Sequence, residues 1–243
     1  MKNQITALII GVSVLLMGLI VAQAYKYRFI SAEGVSVVGM AQVDFTSDLI
    51  VWEGSYSRKS KDLKAAYDNL KKDEQQIRSY LRQKGVADSS VIISSVNLQK
   101  EFNPVYGDRG ILISNEFTGF NLTQQVRIES MDINRVEKLS REVTELIQQG
   151  IELTSPAPRY YYTKMTGLKM DLLAKASADA LQRAETIAKS VHSNLGKLKK
   201  ANMGVFQITG RNSSEEYSYG GSYNTSDRNK TASITMRMEY ILR

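Results

Sequence analysis

A run of twenty residues without a charged side chain, residues 5–24, is the strongest constraint on how this chain folds. About 20 apolar residues are enough to span a bilayer as a helix. The run also follows a short basic start and ends in Ala22-Gln23-Ala24, a small-x-small exit typical of secretory signals. We therefore predict an N-terminal apolar helix that takes the chain out of the cytoplasm. It either remains as a membrane anchor, which its length favours, or is cleaved near Ala24. The large apolar side chains of this predicted anchor are Ile5, Leu8, Ile9, Ile10, Leu15, Leu16, Leu19 and Ile20.

The composition of the rest of the chain excludes several classes of chemistry. Residues 31–243 are numerous enough for a domain with a real core, after a leader segment of residues 1–30. Because the chain has no cysteine, it has no disulfide framework, no thiolate nucleophile and no cysteine-based metal site. The formal net charge of +7 is compatible with an anionic partner and equally with a solvated basic surface. For an exported protein, nucleic acid is the poorest of these partners.

Hydrophobic periodicity predicts an alternation of strands and long helices after the leader. Spacings of three and four residues indicate three helices, and period-two patterns indicate strands with one buried face. The predicted helices begin at Ser60, Asp132 and Thr166, and they end at Gly85, Gly150 and Gly196. The predicted strands cover residues 34–56, 91–102, 118–128, 159–163, 197–209 and 232–242, with a turn around Pro104 and Gly107. Residues 34–56 are predicted as two strand segments, with a bend or bulge at Gly39 and residues 44–48. This order predicts an α+β fold with antiparallel sheets, long helices on one face, and a β-α-β-β unit that occurs twice.

Residue types that carry catalysis are few and scattered. His192 is the only histidine, and its place near the end of the third predicted helix favours a structural role. No nucleophile turn and no phosphate-binding glycine loop occurs in the sequence. Carboxylate pairs such as Asp73-Glu74 lie on predicted helices, where we interpret them as solvated faces. We therefore predict no catalytic residue, no cofactor and no metal site.

The best candidate for a contact surface is the segment of residues 210–230, which is rich in serine, asparagine, glycine and tyrosine. This composition predicts a mobile hairpin loop between the last two strands. Its tyrosines, Tyr217, Tyr219 and Tyr223, supply large amphipathic area of the kind favoured at interfaces. A plain flexible linker is the alternative interpretation.

The chain also resembles a known family, the SIMPL-domain family of exported bacterial proteins. The resemblance lies in the order and spacing of several short motifs between Val35 and Leu242. The matching segments are residues 37–40 (VVGM), 48–52 (DLIVW), 81–86 (LRQKGV), 103–106 (NPVY), 120–128, 174–188 and 195–198 (LGKL).

The resemblance implies an envelope-associated α+β protein without known catalytic residues, and some members of the family assemble into large rings. It also implies a link to envelope or oxidative stress. Together with the leader, it predicts a non-enzymatic, self-assembling protein at the bacterial inner membrane, with its domain in the periplasm. The alternatives are a soluble periplasmic form after cleavage, and a monomeric binding module for a ligand or protein partner.

Overall fold

Two units with the same order of elements make up most of the fold. The computed structural model describes residues 2–30 and 34–243, with side chains for residues 10–26 and 34–243. The helices are α1 (Lys2–Ile30), α2 (Leu63–Gln83), α3 (Ile133–Glu142) and α4 (Met165–Ser190), and 3₁₀ turns cover Asp88–Ser90 and Val143–Gln149. The strands are β1 (Gly34–Thr46), β2 (Leu49–Ser60), β3 (Val91–Ile93), β4 (Asn97–Tyr106), β5 (Leu112–Ser130), β6 (Leu153–Thr154), β7 (Arg159–Tyr161), β8 (Leu195–Met203), β9 (Gln207–Gly210), β10 (Ser222–Tyr223) and β11 (Asn229–Leu242).

The first sheet is built around β5. This strand pairs antiparallel with β2 on one side and with β3 and β4 on the other, while β6 and β7 pair with the far edge of β2. Helices α2 and α3 pack against the sheet, and the fully buried side chains between the layers include Trp52, Leu70, Ile77, Ile128 and Leu146. Burying such large apolar side chains contributes about 2 kcal/mol each, so this layer is the main core of the chain.

The second sheet is built around β11 in the same way. This strand pairs antiparallel with β1 along its whole length, and with β8 and β9 on the other side. Helix α4 covers β1 and β11 with a stripe of small residues, Ala176, Ala180 and Ala184, that are completely buried. The helix lies so close that a Cβ atom at Gly39 would clash with the carbonyl oxygen of Ala176. A glycine is therefore required at that point of β1.

The predicted α+β class, with antiparallel sheets and helices on one face, is confirmed. The repeated unit is present, but its second copy is assembled differently from the prediction. In the first unit, β2 leads directly into α2, an edge strand and the central strand β5. In the second unit the strand that corresponds to β2 is β1, which is far from α4 in sequence. The segment 159–163, predicted as the first strand of that unit, contains β7 and pairs with β2 of the other sheet.

The helix ends agree with the prediction at three places and differ at others. Asp132 caps α3 by accepting a hydrogen bond from the Arg135 amide, and Gly85 and Gly150 adopt left-handed backbone with φ of 80° and 78°. For α2, however, the cap is Asp62, which accepts from the Lys64 and Ala65 amides, and Ser60 still belongs to β2. Two further predictions were wrong: α4 begins before Thr166, and Gly196 lies in β8 instead of ending the helix.

The N-terminal helix α1 exposes the large apolar side chains described in it, including Ile10, Leu15, Leu16, Leu19 and Ile20. The side chains of Ile5, Leu8 and Ile9, and residues 31–33, lie outside what the structure describes. Within the described part of the chain, no helix combines the length and apolar content that a membrane crossing requires.

Candidate contact surface

The segment 210–230, which we call the tyrosine loop, joins β9 to β11 as a hairpin connection. Its backbone is attached to the second sheet by Gln207, whose side chain donates to the Ser218 carbonyl at 2.7 Å and accepts from the Ser218 amide at 3.2 Å. Strand β10 adds to the edge of β9 in parallel. The loop is thus held over part of its length, while its predicted mobility stays a prediction.

The base of the tyrosine loop is organised by a buried lysine. Lys230 is only 1% exposed, and its Nζ donates to the carbonyl oxygen of Asn224. The Asn224 side chain in turn donates to Glu215 at 2.5 Å and to Asp227 at 2.9 Å. Burial lowers the pKa of Lys230 to about 8, although the charges of Asp227 and Glu215 act in the opposite direction. The charged form of a buried amine is disfavoured, so this contact depends on pH.

The three predicted contact tyrosines all reach the surface. Tyr219 is fully exposed, and Tyr217 and Tyr223 are about half exposed. The Tyr217 hydroxyl accepts a hydrogen bond from Ser233 at 3.3 Å. Tyr217 and Tyr223 are therefore positioned by the sheet beneath them, whereas Tyr219 projects into solvent.

A cleft of about 460 Å³ lies beside the tyrosine loop. It is bordered by the break between β8 and β9, by Tyr223 and by two glycines of the loop, Gly220 and Gly221. The side chains of Met203, Val205 and Phe206 give it an apolar floor, and Met203 and Val205 are about half exposed. Lys169 of α4 stands at its edge with its Nζ 5.3 Å from the centre of the Phe206 ring. The cleft therefore combines apolar walls with one cation.

A second exposed surface is the outer part of the β4–β5 hairpin, residues 102–117, which we call the hairpin arm. It continues beyond Ser60, where the pairing of β5 with β2 ends. Phe117 contacts the Phe102 and Phe120 rings edge-on, with centroids 5.7 and 5.1 Å apart, and so joins the arm to the core. Near its tip, Ile111 and Ile113 are 67% and 69% exposed. Apolar exposure on this scale marks interaction sites in soluble proteins.

Sequence reasoning missed the hairpin arm. We predicted a turn around Pro104, but β4 continues through Pro104 to Tyr106. This is possible because β4 is an edge strand, where a residue without an N–H removes no ladder bond from the sheet. The available signal was the pair of apolar runs at 105–106 and 111–113 on either side of the turn 107–110 (GDRG).

The helical carboxylates considered for chemistry have structural partners among the described residues. Asp73 was interpreted as solvated, yet it is 3% exposed and binds Arg58 through two contacts of 2.5 and 2.7 Å. Glu142 binds Lys84 at 2.8 Å, and Asp179 accepts from the Met40 amide at 2.8 Å. Among the described residues, no cluster of histidine and carboxylate side chains could hold a metal ion.

Comparison with known proteins identifies one family. The model of the SIMPL family, described as a protein of unknown function (DUF541), matches residues 35–239. No curated protein matches the chain.

Proposed function

We propose that this chain, which belongs to the SIMPL family, is a non-enzymatic envelope protein that assembles with copies of itself. The family is of unknown function and is not a known enzyme family, and its proteins are generally exported. The observation that carries the proposal is the presence of two apolar surfaces on one chain, the hairpin arm and the cleft beside the tyrosine loop. An isolated monomer would leave both in water, and association would bury them.

Attachment to the bacterial inner membrane is a separate part of the proposal. Its support is the uncharged run of residues 5–24, which precedes the family domain at residues 35–239. Attachment would concentrate the copies on one surface and so favour weak contacts between them. Cell fractionation tests it: the full chain should stay with the inner membrane after a carbonate wash. Recovery in the soluble periplasmic fraction, shortened near Ala24, would support the cleaved form instead.

The test of self-assembly is the mass of the full chain in nonionic detergent, measured by light scattering over a hundredfold range of concentration. We expect a discrete mass above that of one chain, and we expect Tyr219→Ser to reduce association. Because Tyr219 is fully exposed, its replacement cannot disturb the core. Lys138→Ser, an exposed change on α3, serves as the matched control. A single-chain mass at every concentration would exclude the proposal.

The second candidate function is a monomeric binding module. The specific observation in its favour is the cleft, whose volume lies within the range of ligand sites in proteins. A binding module predicts an unchanged monomer that loses a partner when Tyr223 or Val205 is replaced. The mass of the wild-type chain separates the two functions, because a binding module stays a single chain at every concentration. Affinity capture from an envelope extract then shows whether Val205→Asp loses a partner other than the chain itself. The proposed link to stress tolerance is checked by the survival of a deletion strain under peroxide, with complementation by the full chain.

A further inference from the structure

We infer that the hairpin arm of one copy inserts into the cleft beside the tyrosine loop of a second copy. The inference rests on the proposed self-assembly and names the two surfaces that meet. The arm offers a projecting apolar tip, and the cleft offers an apolar recess of about 460 Å³. A projecting apolar surface can fit into a recessed apolar surface, and both lose their contact with water when they meet.

The apolar area on the arm is sufficient for a specific contact. Seven large apolar side chains are exposed on it: Phe102, Val105, Tyr106, Ile111, Leu112, Ile113 and Phe117. At the fractions exposed, they present on the order of 600 Å² to water. One side of a standard protein interface covers about 800 Å². The arm and its immediate surroundings therefore come close to one complete side of such an interface.

The charges at the two surfaces are also complementary. The arm tip carries Asp108 and Arg109 side by side, and neither has an ion-pair partner among the described residues. The cleft presents Lys169 at its edge, and the tyrosine loop carries the exposed Glu216; these two are likewise without an ion pair in the described part of the chain. Because Lys169 borders the cleft, a docked tip can place Asp108 against it. Such complementarity fixes register and excludes wrong partners more than it raises affinity.

An arm does not occupy its own cleft. The arm belongs to the first sheet and contacts mainly its own hairpin, while the cleft lies on the second sheet. Each copy therefore has one donor surface and one acceptor surface, and the contact is heterologous. Heterologous contacts form closed rings when the rotation between copies closes, and open chains when it does not.

The experiment uses two full-length variants, mixed in nonionic detergent. Ile111→Asp damages the arm and leaves the cleft intact, whereas Val205→Asp damages the cleft and leaves the arm intact. Both positions are exposed, so both variants should keep the wild-type circular dichroism. We expect each variant alone to associate at least tenfold more weakly than wild type. Mixed together, they should form a two-chain complex that does not extend, because only one intact arm and one intact cleft remain to meet.

A charge exchange provides the second measurement. Asp108→Lys and Lys169→Asp should each weaken association, and the double variant should recover it, because opposite charges face each other again. The matched control is the double variant that combines Asp108→Lys with Lys175→Asp, a change at another position on α4, and it should give no recovery. If wild type assembles but Val205→Asp assembles equally well, or if the exchange brings no recovery, the arm binds elsewhere and the inference is wrong. If wild type itself is a single chain, the proposed self-assembly fails first.

Discussion

We expect the free energy of unfolding of the wild-type protein to rise between pH 8 and pH 10, and we expect replacement of Lys230 to remove that rise. In the native chain the pKa of Lys230 is lowered by burial to about 8, while in the unfolded chain it is about 10.5. Between these values the unfolded state binds more protons than the native state, so the free energy of unfolding increases with pH. One pKa unit corresponds to about 1.4 kcal/mol, which gives about 2 kcal/mol from pH 8 to pH 10. At pH values well below 8, Lys230 is charged in both the native and the unfolded state, so its contribution to the free energy of unfolding no longer changes with pH.

The assay is urea unfolding of the full chain in nonionic detergent at pH 8, 9 and 10, followed by far-ultraviolet circular dichroism. Lys230→Met keeps the length and apolar character of the side chain and removes the ionisable group. We expect the rise to disappear in this variant and to persist in Lys175→Met, an exposed control on α4. Above pH 10 stability should fall again, because burial and a hydrogen bond to Glu137 raise the pKa of Tyr160 to about 12. Equal slopes for wild type and Lys230→Met from pH 8 to 10 would refute the reasoning.

Two other substitutions test how the helices are held on their sheets. Asp73→Asn leaves the Arg58 guanidinium without its carboxylate and should lower the free energy of unfolding by about 3 kcal/mol. The control Asp171→Asn removes an exposed ion pair and should cost under about 1 kcal/mol. Similar losses for the two variants in urea unfolding would contradict this prediction. Gly39→Val places atoms against the α4 backbone and should cost about 3 kcal/mol or more. Gly167 has open space around it, so Gly167→Ala should instead stabilise the helix by up to about 1 kcal/mol. If Gly39→Val is as stable as wild type, α4 can move away from β1 and the prediction is wrong.

The fold class could be predicted because hydrophobic period and helix-ending glycines are local signals. The alternation of Ile234, Met236, Met238 and Tyr240 gave β11 its buried face, and Gly85 and Gly150 gave the ends of two helical segments. The pairing of β1 with β11 had no local signal, because the two strands lie at opposite ends of the domain. Strand partners so far apart are chosen by tertiary packing, in this case by the close approach of α4 at Gly39.

The candidate surfaces could be predicted only in part, for the same reason. The tyrosines of the loop were found from composition alone. The burial of Asp73 and Lys230 was not, because charged side chains are predicted to be solvated unless their partners are known. Asp73 is buried by Arg58 from another element, and Lys230 is buried by the loop that folds back over it. Both partners become visible only in the folded chain.

The proposed donor and acceptor surfaces lie at corresponding places in the two units. In each unit the edge strand has a three-residue break, at residues 94–96 in the first unit and 204–206 in the second. A hairpin connection then leads from the edge strand into the central strand. The hairpin connection of the first unit is the tip of the arm, and that of the second is the tyrosine loop beside the cleft. The two surfaces therefore occupy equivalent positions in two units with the same order of elements. The connection of the first unit extends past its sheet, and that of the second folds back onto its sheet. The proposed contact would join the first unit of one copy to the second unit of the next, at the equivalent position of each. The proposed assembly then rests on the order of elements in the fold as well as on exposed apolar side chains.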